Sequence, residues 1–356
     1  MLEKYSELTN DMDFSKAALI VGNGASISLS ANFSYSNLFS KAEEIGQLSS
    51  KLANIFNQLH TSNFESILNQ LDITQKMNNM LPLSHILKEI LPLFDDTISK
   101  SRNQIKKALI ETIRSVHPEY TKLSITHPES NNILKLNKFL NQFDYIINLN
   151  YDLLIYYILL ANKNLFIDSF RHADPDNYNL TFDENIINTS FGSRTKLYYP
   201  HGNIVLCVDS NGEEQKIRCA EANSLLQKIL SLWEHENALY PLFICEGSST
   251  EKVKSIYRNY YLRYIYKNIL PKLPDNIICY GWSLSENDEH ILKQILKNKS
   301  DSFKILISIH KGSKSSLQLN TECTNIKNRI TNINSNTDIH FFDATDEGCW
   351  LNYNAD

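Results

Sequence analysis

A chain of 356 residues with 42% hydrophobic side chains has enough apolar mass for one large domain or two of ordinary size. Its 35 Lys and Arg against 40 Asp and Glu give a net charge of −5 with no basic block, so a nucleic-acid partner is not expected. No stretch reaches the ~18 consecutive apolar residues of a membrane span, and Met1-Leu-Glu-Lys-Tyr-Ser-Glu-Leu8 has no basic region leading into an apolar run; the expected setting is the cytoplasm, without a membrane partner.

In chain order, Ala17-Ala-Leu-Ile-Val21 is a continuous apolar run that ends in Gly22-Asn-Gly24, the pattern of a buried strand turning through a loop into a helix. From about Tyr35 to Leu140 the apolar spacing becomes three and four (Ile55, Leu59; Ile67, Leu68, Leu71; Ile105, Leu109, Ile113), which predicts amphipathic helices. Tyr145-Ile-Ile-Asn-Leu149 restores a strand, and a helix follows from Asp152 to Leu160. Residues 164–218 carry turn signals at Asp174-Pro-Asp176 and Asn211-Gly212, so short strands and loops are expected there. Next come a helix over Glu221 to His235, a strand over Tyr240 to Cys245 and one long Tyr-rich helix over Thr250 to Leu270. The last third reads as strands at Asn276–Tyr280, Phe303–Ile309 and Asp338–Phe342, with helices at 287–298 and 322–333 between them. Alternating strand and helix predicts an α/β fold with a parallel, doubly wound sheet. The sheet domain is expected over 1–34 and 141–356, with a helical insertion over 35–140.

Glycine is scarce, 10 in 356 residues, roughly 3% against a typical ~7%. Yet four short islands hold Gly22, Gly24, Gly202 and Gly281: Leu19-Ile-Val-Gly-Asn-Gly-Ala-Ser26, Asn148-Leu-Asn-Tyr-Asp152, Tyr199-Pro-His-Gly202 and Ile278-Cys-Tyr-Gly-Trp-Ser283. The first can cradle a pyrophosphate on backbone N–H groups, although position 27 is Ile and a plain tight turn reads equally well. Asn150 and Asp152 either serve a ligand or cap the following helix. His201, between Pro200 and Gly202, can act as a base or orient a ribose hydroxyl, or be structural; the other nine histidines lack this setting. Ser283 can bond phosphate or ribose, with Asn287 or Asp288 as caps of the next helix. The six cysteines, Cys207, Cys219, Cys245, Cys279, Cys323 and Cys349, show no zinc-knuckle spacing and read as free thiols in a reducing compartment.

Taken in this order, the islands resemble the sirtuin-like superfamily. Gly22-Asn-Gly-Ala-Ser26 resembles its Gly-Ala-Gly-x-Ser loop, Asn148-Leu-Asn-Tyr-Asp152 its Thr-x-Asn-Tyr/Ile-Asp element, Pro200-His-Gly202 its His-Gly and Gly281-Trp-Ser283 its Gly-x-Ser strand end. Phe33-Ser-Tyr-Ser-Asn-Leu38, Phe243-Ile-Cys-Glu-Gly-Ser248 and Gly281 to Ile291 are similar to an uncharacterised bacterial branch of these proteins. The deacylases of the family carry a four-cysteine zinc module and a Gly-Ile-Pro-Asp-Phe-Arg segment. Here the cysteines are scattered and the segment is Ile27-Ser-Leu-Ser-Ala-Asn-Phe33, which disfavours deacylation.

The resemblance implies a Rossmann-like, sirtuin-like domain without the zinc module, similar to the NAD-cleaving effectors of bacterial anti-phage systems. It implies NAD as substrate, no metal, and a homo-oligomer or a regulatory, nucleotide-sensing protein as partner. Asn150 would hold the nicotinamide ribose and the attacking water, with His201 as base or ribose-hydroxyl partner. Asp152 would contact the nicotinamide side. Gly22, Asn23, Gly24, Ala25 and Ser26 would form the pyrophosphate loop, and Gly281 and Ser283 would hold the adenosine half. The alternatives are a non-catalytic sensor of NAD or ADP-ribose and, with less support, transfer of an acyl or ADP-ribosyl group.

Overall fold

All five residues of Ala17–Val21, strand β1, are fully buried, as an apolar run covered on both faces of a parallel sheet must be. The computed structural model describes residues 2–80, 85–118, 120, 130–171, 180–187, 194–209, 212–219, 224–234, 239–244, 248–297, 299–300 and 303–353. Among these the further strands are β2 (Tyr145–Asn148), β3 (Phe166–Ile167), β4 (Phe170–Arg171), β5 (Leu180–Phe182), β6 (Thr195–Tyr198) and β7 (Gly202–Val208). They continue as β8 (Glu214–Lys216), β9 (Tyr240–Phe243), β10 (Asn276–Tyr280), β11 (Lys304–Ile309) and β12 (Asp338–Asp343). The expected turn at Asp174–Asp176, together with Asn211, His127, Cys245 and the following Glu246-Gly247, lies outside the described residues.

Seven strands form an all-parallel sheet in the order β12-β11-β10-β1-β2-β6-β3. The chain steps outward from β1 to β2 on one side and later to β10 on the other, so the strand order reverses at β1. Register then aligns the strand ends: Val21 stands opposite Tyr280 and Asn148, and Ile147 opposite Tyr198. The segments that follow β1, β2, β6 and β10 therefore leave the sheet at one carboxyl edge, and these are the four sequence islands. The short strands expected over 164–218 supply most of a second, antiparallel sheet, β4-β5-β8-β7-β9.

The chain divides into two compact units, one of Met1–Leu29, Pro118–Phe243 and Ile256–Asp356, the other of Ser30–His117 and Ile244–Ser255. Helix Ser130–Leu140, the last part of the helical insertion expected over 35–140, belongs to the unit with the sheets. There Phe139 stacks edge-on against Phe143 and Trp350. The second unit holds helices Tyr35–Glu44, Ser50–Gln58, Phe64–Met80 and His85–Val116. In it, Lys252, 1% exposed, pairs with Glu65 at 3.1 Å. No helix among the described residues is long and apolar enough to cross a membrane.

The single helix expected over 250–270 is instead three segments. Asn259, with φ −112° and ψ 131°, is extended and separates Ser249–Arg258 from Tyr260–Tyr264, after which Ile265–Ile269 forms a π-helical turn. Tyr261, Leu262, Ile265 and Tyr266 are buried while Tyr257 and Tyr260 are exposed, so packing accounts for part of the aromatic run.

Candidate active site

Two of the four edge segments meet backbone to backbone. Gly22 N–H donates to Tyr280 O at 2.9 Å and Gly24 N–H to Gly281 O at 2.8 Å. A Cβ on Gly24 would lie 2.8 Å from Gly281 Cα, and one on Gly281 2.3 Å from Ala25 N, with Gly281 at φ +65°. Close approach of the two strand ends thus requires glycine at both positions. It also commits the N–H groups of Gly22 and Gly24, two of those expected to face a pyrophosphate. Asn23 and Gly24 remain partly exposed at the start of helix Asn23–Leu29, whereas Ala25 and Ser26 are buried.

Asn150, Ser26 and Asp152 form one buried hydrogen-bonded chain. Asn150 Nδ2 donates to Gly22 O at 3.1 Å and to Ser26 Oγ at 2.9 Å, and Ser26 Oγ donates to Asp152 Oδ2 at 2.6 Å. Asp152 Oδ1 accepts from Leu154 N–H at 2.9 Å. Burial pushes the Asp152 carboxyl above its usual range, against the donors from Ser26 and Leu154. The Gly22 carbonyl can only accept, so it fixes the Asn150 amide with nitrogen inward. Oδ1 is the side-chain atom left to address a hydroxyl or a water. The expected ligand roles of Ser26 and Asp152 change accordingly: Ser26, fully buried, spends its one proton on Asp152, and both Asp152 oxygens are engaged within the protein. The N-cap of the following helix is Leu153, not Asp152, although Asp152 still meets the first helical N–H, that of Leu154.

Asn203 was not singled out in the sequence. It is fully buried, and its Nδ2 donates to Asp152 O at 2.6 Å and Asn150 O at 3.2 Å while its Oδ1 accepts from Val205 N–H at 3.0 Å. Ile204 N–H adds a bond to Tyr151 O at 2.9 Å. The only sequence signal was a polar residue entering an apolar strand two places after His201.

His201, in the turn between β6 and β7, is 2% exposed, and its Nε2 lies 3.0 Å from His290 Nε2. Asp288 Oδ1 is 3.8 Å from the same atom, and Trp282 Nε1 donates to Asp288 Oδ2 at 3.3 Å. Tyr266, on the π-helical turn, donates its hydroxyl to His290 O at 3.4 Å; such turns recur at functional sites. His290, one of the nine other histidines, shares this setting through a contact between residues 89 positions apart. Asp288 was weighed as a helix cap; it makes no side-chain cap bond to helix Glu289–Ile295 and faces His201 and Trp282 instead. The donor atoms of His201, Asp288 and His290 lie within 4.8 Å of one another, close enough to hold a metal ion.

Ser283 is exposed and lines a cleft of about 500 Å³ with Leu317, Gln318, Thr321, Glu322 and Arg329 among its walls. None of the Asn150, Asp152 or His201 side chains lines it.

A family described as a domain of unknown function (DUF4917) matches residues 19–350, which spans all four islands. No curated protein matches the chain.

Proposed function

We infer a function for a chain that belongs to the DUF4917 family: hydrolysis of NAD to nicotinamide and ADP-ribose. The observation that carries this reading is the Asn150 amide, held at the carboxyl edge of the central strands with its acceptor oxygen left for a ligand. Support also comes from topology. Apart from the edge strand β3 beyond β6, the order β6-β2-β1-β10-β11-β12 is like the Rossmann order, in which dinucleotides bind at the strand-order reversal. The sirtuin-like resemblance of the four islands supplies the choice of NAD.

In this reaction the N-glycosidic bond breaks and its electron pair passes to the cationic nicotinamide nitrogen, so the leaving group departs neutral and needs no acid. Water adds to the ribose carbon and gives up one proton. Asn150 Oδ1 orients the water or the ribose hydroxyls, which is catalysis by positioning, and His201 serves as base or ribose-hydroxyl partner. The Ser26 and Asp152 side chains act behind Asn150 by fixing its amide. With the N–H groups of Gly22, Gly24 and Ala25 spent within the protein, Asn23 is the loop residue that faces the pyrophosphate, and the open depression at Ser283 takes the adenosine half. Uncontrolled NAD loss would kill a host cell, so the enzyme would be a regulated anti-phage effector in a homo-oligomer or with a protein partner.

One observation favours a second reading, a non-catalytic NAD or ADP-ribose sensor: His201 Nε2 is already engaged by His290. The test is purified wild-type and Asn150→Ala protein incubated with NAD, with and without lysate from phage-infected cells. Nicotinamide and ADP-ribose are then followed by chromatography. Release by wild type alone supports hydrolysis; NAD binding without release in either condition selects the sensor.

A further inference from the structure

We propose that His201, Asp288 and His290 form a binding site for a divalent transition-metal ion of the zinc class. Two imidazoles and one carboxylate are a donor set suited to zinc, cobalt or iron(II), whereas calcium and magnesium prefer all-oxygen shells. The geometry is close to what such an ion needs. Ligand bonds of ~2.0–2.1 Å in a tetrahedron hold their donor atoms ~3.3 Å apart. The two Nε2 atoms stand at 3.0 Å and Asp288 Oδ1 at 3.8 Å from His201 Nε2, so closure opens the imidazole pair slightly and draws the carboxylate inward.

The surroundings are also those of a metal centre. His201 and His290 are each 2% exposed, and Asp288, 17% exposed at its side chain, is the more accessible ligand. The Trp282 indole N–H bonds Asp288 Oδ2 while Oδ1 lies on the His201 side, the kind of outer contact that orients a metal-binding carboxylate. Tyr266 bonds the His290 main-chain carbonyl rather than its ring, at 3.4 Å. Three protein ligands leave a fourth position for water or a substrate oxygen.

The metal site stands independently of the proposed reaction, but one consequence rests on that reading. A ligand nitrogen donates the same lone pair that a base uses, so the general-base role proposed for His201 is open only in the metal-free protein.

The experiment titrates reduced, metal-stripped protein with Co²⁺, followed by visible absorption, and with Zn²⁺, followed by calorimetry, in the absence of NAD. Wild type is expected to take up one ion per chain with the d–d bands of a four-coordinate nitrogen–oxygen site and no thiolate charge-transfer band. His290→Gln and Asp288→Asn, checked for folding by circular dichroism, are each expected to weaken binding at least tenfold. The partly exposed carboxylate keeps the test valid if His290→Gln fails to fold. Absence of uptake, uptake unchanged in a folded variant, or a thiolate band marking the cysteines as ligands overturns the site. Metal uptake is read without NAD, so its failure and failure of the hydrolase reading are separate results.

Discussion

Asn203 donates its side-chain amide to the main-chain carbonyl of Asp152 at 2.6 Å, which ties the loop after β2 to the strand after His201. The same amide reaches Asn150 O at 3.2 Å, and Val205 N–H returns a bond to Asn203 Oδ1 at 3.0 Å. One buried side chain thus spaces the two segments on which the proposed chemistry depends. Asn203→Ala strands two carbonyls and one N–H, each costing about 1–3 kcal/mol if left unmet. Asn203→Asp keeps the acceptor for Val205 but turns a carboxylate oxygen toward the carbonyls. Urea melts are expected to show both variants destabilised, with the aspartate no better than the alanine at neutral pH. A fully stable Asn203→Asp would remove this clamp.

At the centre of the site, Asn150→Ala and His201→Ala are expected to keep their circular-dichroism spectra and lose turnover of NAD. General-base contributions run to ~10²–10⁴-fold, so the His201 variant should lose well over tenfold. Asn150→Asp is the finer probe, because its second oxygen would face the Gly22 carbonyl in place of an amide nitrogen. It should be as inactive as the alanine. Full activity in any one of the three dismisses that residue.

Asp152 makes a prediction about acid stability. Its carboxyl is raised by burial, against the bonds from Ser26 and Leu154, so the folded chain holds this proton to higher pH than the unfolded chain, whose carboxyl titrates near ~3.9. Stability from this group is largest at low pH and falls as pH climbs from about 4 through the raised value. Relative to Asp152→Asn, wild type should therefore lose stability as pH rises from about 4 through the raised value in parallel denaturant melts. A difference that stays level across that range refutes the raised carboxyl.

His340 on β12 gives a second pH signature. Its Nδ1 lies 2.8 Å from Glu3 Oε1 and its Nε2 3.0 Å from Asp338 Oδ1. Burial lowers its pKa, but the bonds to Glu3 and Asp338 outweigh it and the net shift is upward. The pair's stabilisation is complete below the unfolded value of ~6.5 and disappears as pH rises through the higher folded value. Wild type should exceed His340→Gln in stability at pH 6 and converge on it in alkaline buffer. Equal melting at both ends would show that the bridge contributes nothing.

The Gly24–Gly281 contact separates conformational from steric strain. Gly46, at φ +69° with open space around it, and Gly281, at φ +65° against Ala25 N, both occupy the left-handed region. Gly46→Ala should cost about 1–2 kcal/mol, the penalty of that conformation alone. Gly281→Ala adds the collision and should cost clearly more by thermal melting. Equal costs would mean that the two segments can separate freely.

Much of the sheet was legible because its strands carry their own signal. Ala17–Val21 and Asn276–Tyr280 have the bounds read from the apolar runs. The four islands were also recognisable, since glycine and short polar residues directly after a buried strand mark a turn at its carboxyl end. What escaped was made by approach in space. Nothing local tells His290 that His201 will lie 3.0 Å away, and Asp288 at a helix start reads as a cap. Ser26 resembled a ligand donor because a sequence gives its position in the loop but not its full burial. The break at Asn259 was hidden because apolar periodicity runs through it on both sides.

The π-helical turn at Ile265–Ile269 makes chain length a determinant of the histidine cluster. A wide turn accommodates an extra residue over nearly the same rise, so deleting one would let the segment relax to ordinary helix and re-aim the side chains within it, while the chain beyond keeps its register. Tyr266 would lose its aim at the His290 carbonyl without any substitution of either residue. Among relatives of this chain, an insertion or deletion here would change the support of the histidine cluster while leaving His201, Asp288 and His290 themselves unaltered.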